Sequence, residues 1–268
     1  MDKKALFFDI DGTLLSEITH MVPGSAAAAL SEARKEGHRV FINSGRTLCL
    51  SREIFGLVET DGCLCGCGTY IEADGRILYH HQIPLERCNR IKKDIVAYGL
   101  DGVLEGKESC CMQKHVSRIP KTEHLKRSVG NSGILTPYGW ENDQYVYDKF
   151  CVMADAQSDR EGFFKTLEPD IQVIDRGDDF YECVPKGHSK ATGIRFVLEH
   201  YGISLENAYV FGDSTNDLSM FEYAIHTVLM GKHDRELEEY AEFITRTVEE
   251  DGIAYAMERL GLCKKPVS

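Results

Sequence analysis

The sequence predicts an α/β protein with a Rossmann-like parallel-sheet core interrupted by an inserted α+β unit. Three observations carry that reading. Short apolar runs alternate with helical segments through residues 5–55, and the same alternation resumes after about residue 189. Between them, from about residue 84 to residue 184, helical and strand-like pieces mix without that regularity.

Ala5-Leu6-Phe7-Phe8 is short and wholly apolar, as a strand buried on both faces must be. Pro23-Gly24-Ser25 leads into a run from Ala26 to Glu36 of strong helix formers, with Ser25 the expected N-cap and Gly37 the stop. Arg39-Val40-Phe41-Ile42 reads as a second buried strand. It ends in Asn43-Ser44-Gly45-Arg46, and a helix is expected over residues 47–55. Strand, helix, strand, helix at this spacing implies right-handed parallel crossovers.

From residue 63 to residue 83 the pattern changes to short strands. Asp74-Gly75 marks a hairpin turn between Tyr70-Ile71-Glu72 and Ile77-Leu78-Tyr79. The insert then reads as helices near 85–98, 123–129 and 160–167, with strands at 146–153, 171–175 and 180–184. The core returns with a helix over 189–200, a strand over 208–211 and the loop Gly212-Asp213. A helix over 217–223, a strand over 225–229, a helix over 235–241, a strand at 243–244 and a helix over 252–260 complete it. The expected domains are therefore residues 1–83 plus 185–268 for the core and 84–184 for the insert, a division that a surface-loop insertion tolerates well.

The 268 residues are 43% hydrophobic and 28% charged, ordinary for a globular chain with a sizeable core. A net charge of −12 argues against a nucleic-acid partner, which requires clustered Lys and Arg. It permits a small phosphorylated metabolite held by a local positive site. Met1-Asp2-Lys3-Lys4 runs straight into the first strand, with no signal peptide expected, and no apolar run approaches a membrane span. A cytoplasmic protein is expected, its ten cysteines kept as thiols by a reducing compartment.

Asp9-Ile10-Asp11-Gly12-Thr13 follows the first strand, where open α/β sheets bind their ligands. Taken alone, Asp and Gly there could simply begin a turn. Three further elements fall at strand ends or helix starts: Ser44-Gly45-Arg46, Lys190, and Gly212-Asp213-x-x-Asn216-Asp217. Together they offer hard carboxylate oxygens suited to Mg²⁺ and donors suited to phosphate. They also offer a carboxylate able to attack phosphorus.

In this order and spacing the elements resemble the haloacid dehalogenase superfamily, with its D-x-D-x-T, S/T-G-R, lysine and G-D-x-x-N-D. The insert resembles the type IIB cap of Cof-like members. So do Glu182-x-x-Pro185-Lys186-Gly187-x-Ser189-Lys190 and Glu249-Glu250-Asp251-Gly252-Ile253-Ala254. The resemblance implies a Mg²⁺-dependent phosphatase of small phosphate monoesters, sugar phosphates first and cofactor phosphates next. Asp9 is then the nucleophile and Asp11 the acid and base. Mg²⁺ is held by Asp9, Asp213 and the Asp11 carbonyl, with Asp217 reaching it through water or orienting Asp213. Ser44, Gly45 and Asn216 grip phosphate, and Lys190 offsets its charge.

Rival readings attach to several residues. Helix capping competes for Ser44 and Asn216, Lys186 rivals Lys190, and a structural ion pair competes with substrate contact for Arg46. Trp140, Tyr138, Tyr145, His115 and Arg118 are candidate substrate contacts from the cap. A phosphomutase would use the same core. A receiver-type phospho-acceptor lacks the second acid and the insert, and a degenerate regulator would lack a catalytic residue. One departure stands out: Cys67-Gly68 replaces the family's Asn-Gly. The spacing of Cys63, Cys65 and Cys67 suggests three thiols on one strand face, as buried packing groups rather than a soft-metal site.

Overall fold

The computed structural model describes residues 3–136 and 140–264 and divides into two units. The first gathers residues 3–45, 51–79 and 189–264; the second gathers Arg46–Leu50 and His80–His188. The short segment Arg46–Leu50 joins the second unit although it lies outside the insert.

In chain order the first unit opens with β1 (Ala5–Phe8), α1 (Gly24–Lys35), β2 (Arg39–Asn43) and, from Ser51, the rest of α2 (Leu48–Phe55), whose first three residues belong to the second unit. It continues with β3 (Gly62–Cys65), β4 (Tyr70–Ala73) and β5 (Arg76–His80). The second unit supplies α3 (Leu85–Ala97), β6 (Asp101–Glu105), β7 (Cys110–Met112), α4 (Pro120–Asn131) and β8 (Lys149–Met153). It ends with α5 (Arg160–Leu167), β9 (Ile171–Asp175) and β10 (Phe180–Pro185). The first unit resumes with α6 (Lys190–Tyr201), β11 (Ala208–Gly212), α7 (Leu218–Tyr223), β12 (His226–Leu229), β13 (Phe243–Ile244) and α8 (Gly252–Arg259).

The first unit's sheet runs β13-β12-β11-β1-β2-β3-β4-β5. The strands from β13 to β3 are parallel, and β4 turns back antiparallel on β3. β1 lies at the centre with all four residues buried, as its unbroken apolar run requires. Phe7 stacks on Phe41 and Phe8 on Phe211, tying the three central strands together. One sheet face packs Ile194, Val197 and Leu198 of α6 with Met220 and Phe221 of α7. The helices α1 and α8 pack on each other, burying Ala26, Ala29, Leu30 and Ala33 with Ile253, Ala256 and Met257.

In the second unit the antiparallel sheet runs β7-β6-β8-β10-β9. Alternation sends Leu104, Phe150, Val152, Tyr181 and Cys183 toward α3 and α5, where Cys88, Ile91, Ile95, Phe163 and Leu167 meet them. Val103, Cys110, Met112 and Cys151 pack instead with Val129 of α4 and Cys49 of α2. Beside Cys151, Lys149 pairs with Glu105 and Glu182, and Arg176 pairs with Glu182. Burial alone would raise the Glu182 carboxyl. Lys149 and Arg176 outweigh it and hold the group at about 2.

Several local expectations are corrected. Pro23, not Ser25, precedes the first turn of α1, and the Ser25 hydroxyl donates to Asp251. The segment Arg235–Tyr240 is a 3₁₀ helix, and a 3₁₀ turn at Thr215–Asp217 precedes α7. Strands β6 and β7 were not read in the sequence. Cys63 and Cys65 do share a face of β3, but Cys67 lies past its end in a left-handed turn at φ 56°, so the three thiols do not line one strand face.

Candidate active site

The carboxyl ends of β1, β2 and β11 lie side by side, and the sequence places chemistry at each. Asp9 follows β1 directly, its amide donating to the Phe211 carbonyl at 3.0 Å. The chain then turns tightly, with Gly12 donating to Leu15 at 2.9 Å and adopting φ 73°. A Cβ on Gly12 would stand 2.3 Å from Asp213 Oδ2, so only glycine lets this turn pass the carboxylate. Thr13 Oγ1 donates to Asp213 Oδ1 at 3.0 Å across the β1–β11 junction.

The β11 loop is built around Asp217. Its Oδ2 accepts from the amides of Asp213 at 2.9 Å and Ser214 at 3.3 Å, and its Oδ1 accepts from Lys190 Nζ at 2.5 Å. Gly212 allows this closeness, since a Cβ there would stand 2.4 Å from Asp217 Oδ2. Asp234 braces the loop from outside: its amide donates to the Asp213 carbonyl and its Oδ2 accepts from Thr215, both at 2.8 Å.

Lys190 enters at the start of α6. Ser189 caps that helix: its hydroxyl accepts from the Thr192 amide while its own amide donates to Thr192 Oγ1, and Gly202 ends the helix in the left-handed region. The Lys190 ammonium, 1% exposed, donates to Asp9 Oδ1 and Asp217 Oδ1 at 2.5 Å each and to Asn216 Oδ1 at 3.3 Å. Asn43, at the end of β2, donates to the Lys190 carbonyl at 3.3 Å and so ties β2 to the same helix start.

One ammonium stands among several carboxylates. Asp9, Asp213 and Asp217 each bring an oxygen within 4.8 Å of the others. Burial, the Asp217 charge and the Asp11 charge push Asp9 up to about 7 against the pull of Lys190. Burial, then Asp217 and Asp9, push Asp213 up to about 8. Lys190 is held above its ordinary range: burial opposes the charge, and the carboxylates of Asp217 and Asp9 more than offset it. Asp9 Oδ2 is buried with no hydrogen-bond partner. A cluster of hard carboxylate oxygens with excess negative charge fits a divalent cation such as Mg²⁺.

The predicted site residues separate cleanly. Asp9, Asp213, Asp217, Lys190 and Asn216 meet directly, and Asp11 is close enough for its charge to bear on Asp9. Ser44 is buried at the end of β2, its amide donating to Leu64 at 2.8 Å and its carbonyl accepting from Cys67 at 3.1 Å. It stands four residues before α2 begins, so it is not the cap of that helix. Nor is Asn216 a cap, since Ser214 fills that position. Gly45 closes the first unit's segment, whereas Arg46 belongs to the second unit, where its guanidinium donates to the Leu50 carbonyl.

Lys186 bonds the Glu168 carbonyl within the second unit, which leaves Lys190 as the site lysine. Of the cap candidates, Arg118 pairs with Asp155 and bonds the Gly99 carbonyl. Tyr145 donates to the Ser109 carbonyl, and Trp140 and Tyr145 pack on the unit's own core. His115 stands exposed, 3.7 Å from Asp101. Tyr138 lies outside the described residues. Sequence reading missed Asn43 and Asp234, which no motif marks, and it under-read Thr13, which lay in plain view inside the first motif.

A parallel α/β sheet that gathers acids, a lysine and a serine-glycine turn at its carboxyl edge is the scaffold of an acid-centred hydrolase. A family profile described as haloacid dehalogenase-like hydrolase matches residues 6–257, and the chain belongs to that family. Within it the chain stands with the phosphatases. It is 31% identical over 267 residues to YkrA of Bacillus subtilis, provisionally named a phosphatase, covering 98% of this chain and 100% of that one. It is 25% identical over 258 residues to YcsE of Bacillus subtilis, a 5-amino-6-(5-phospho-D-ribitylamino)uracil phosphatase, covering 96% and 95%. A solved sugar phosphatase of subclass IIB superposes with TM-score 0.77 at 26% identity, covering 97% of this chain and 100% of that one. That neighbour agrees with the type IIB resemblance read from the insert.

Proposed function

We propose that this protein is a Mg²⁺-dependent phosphomonoesterase acting on small, polyhydroxylated phosphate esters through a phospho-aspartyl intermediate. The observation that carries the reading is the state of Asp9: Lys190 clamps Oδ1 at 2.5 Å while Oδ2 is buried without a partner. An oxygen so held is oriented and unengaged, as a nucleophile must be.

In the first step Asp9 Oδ2 bonds to phosphorus and the bond from phosphorus to the leaving oxygen breaks, with Asp11 giving that oxygen a proton. In the second step Asp11 takes a proton from water, the water oxygen attacks phosphorus, and Asp9 is released with inorganic phosphate. Ser44 and the Gly45 amide hold phosphate oxygens, Asn216 donates from its side-chain nitrogen, and Lys190 offsets charge on Asp9 and the phosphoryl group. Asp9, Asp213 and the Asp11 carbonyl would hold a Mg²⁺, which would supply charge neutralisation at the phosphoryl group. Asp217 keeps Asp213 and Lys190 in place. In this reading the first unit is the catalytic core and the second is a cap whose part is to read the leaving group.

Sugar phosphates are the first substrates to test, since the solved IIB neighbour is a sugar phosphatase and YcsE acts on a phosphoribityl compound. The test is phosphate release across sugar, ribityl, nucleotide and vitamin phosphates with Mg²⁺ or chelator. Turnover is expected to vanish on chelation, and Asp9→Asn is expected to lower it at least ~1,000-fold, about 4 kcal/mol of barrier. Survival of a tenth of the activity in Asp9→Asn would rule out covalent attack by Asp9.

A further inference from the structure

The second unit holds six of the ten cysteines, and two of them meet. Cys49 Sγ lies 3.8 Å from Cys110 Sγ, although the residues are 61 apart in the chain. Cys49 sits in the first turn of α2, where its thiol donates to the Gly106 carbonyl at 3.2 Å and stands 3.5 Å from Thr47 Oγ1. Cys110 opens β7. Both are buried in one apolar cluster with Val103, Met112, Val129 and Cys151.

The location gives the pair its interest. α2 is shared: residues up to Leu50 belong to the second unit and those from Ser51 to the first. Ser44 and Gly45, the proposed phosphate-gripping turn, come immediately before that shared segment. In the thiol state, packing and non-covalent contacts such as the Cys49–Gly106 hydrogen bond hold Cys49 and Leu50 in the second unit's apolar cluster. A covalent bond would make that attachment permanent on the time scale of turnover. The sulfurs need to approach from 3.8 Å to a bond of about 2.05 Å.

We propose that Cys49 and Cys110 form a dithiol–disulfide site, and that a peroxide closes it, fixing the first turn of α2 to β7 and slowing turnover. The steps balance. The Cys49 sulfur, having lost its proton, attacks one peroxide oxygen, the O–O bond breaks, and sulfenic acid and water result. The Cys110 sulfur then attacks the sulfenic sulfur, the S–S bond forms, the S–OH bond breaks, and a second water leaves. Two thiols and one peroxide give one disulfide and two waters, and an added dithiol reverses the change by exchange. The hydrogen bond shared with Cys49, and then burial, hold the Cys110 thiol well above the ordinary range.

The test treats the full chain with hydrogen peroxide, quenches it, and maps peptides without reduction. The expected result is a Cys49 peptide joined to a Cys110 peptide with loss of two hydrogens. With it, kcat/KM for para-nitrophenyl phosphate should fall about fivefold or more, roughly 1 kcal/mol, and return with dithiothreitol. Cys49→Ser and Cys110→Ser should keep their turnover under the same treatment. Cys49→Ala, which buries no new hydroxyl, gives the same reading if a serine variant fails to fold. Absence of the link, a link from Cys110 to Cys151 instead, or full turnover in the linked protein would each overturn the proposal. The kinetic arm rests on the phosphatase reading and the peptide map does not. A protein with no turnover before oxidation would count against that reading alone.

Discussion

At the scale of residues, the two acids of the first motif divide by environment. Asp9 is buried, clamped by Lys190 and pushed up to about 7; Asp11 is half-buried just beyond. If Asp11 protonates the leaving oxygen, its loss should matter most where that oxygen is a poor leaving group. Asp11→Asn is expected to slow the phosphorylation burst with a sugar phosphate far more than with para-nitrophenyl phosphate, read in single turnover. Equal slowing of both bursts would assign Asp11 to geometry rather than proton transfer. This much was legible because a short motif names its residues. The Cys67 departure also acquires a reason. Its φ of 56° is a conformation that asparagine tolerates better than most residues, so the family's Asn suits a backbone demand that cysteine meets here with some strain. Asn43 and Asp234 were illegible for a plain reason: each acts through a partner distant in sequence, and nothing local marks it.

Among the elements, the central strands were readable because burial on both faces forces an unbroken apolar run, as in β1 and β11. β6 was not. Its sequence, Asp-Gly-Val-Leu-Glu, begins and ends with acids that the fold buries, Glu105 against Lys149 and Asp101 against Ser117 and Thr122. α4 proved longer than read because Pro120 stands at its first turn, where a missing amide costs nothing. The Arg235–Tyr240 segment carries helix-forming residues yet winds as 3₁₀, a difference propensity alone does not report. The element that most concerns catalysis is α6, whose cap precedes the site lysine. Ser189→Ala should cost about 1 kcal/mol in urea unfolding and lower kcat as the Lys190 end frays. Ser189→Thr should retain most of both. Loss of stability with kcat unchanged would separate the cap from the site.

For the whole molecule, the acidic cluster links stability to pH and cation. With Asp9 raised to about 7 and Asp213 to about 8, the folded chain binds more protons than the unfolded one from about pH 4 up to those values. Stability without a cation should therefore fall as pH rises across that window. Mg²⁺ should raise Tm more at pH 8 than at pH 6, and its binding at neutral pH should release protons into weakly buffered solution. A Tm gain independent of pH would contradict the assignment of these carboxylates. The Thr13–Asp213 bond across β1 and β11 has a further consequence. It joins residues 200 positions apart, so a ribosome adds 200 residues after Thr13 before the two can meet. Asp9 is made about 180 residues before Lys190, which clamps it, and about 200 before Asp213, which stands beside it. Until β11 emerges and docks beside β1, a nascent chain carries Asp9 without the carboxylates that face it in the fold. A product truncated before Asp213 is expected to release no phosphate from esters that the full chain hydrolyses, a comparison that a phosphate-release assay on the two makes directly.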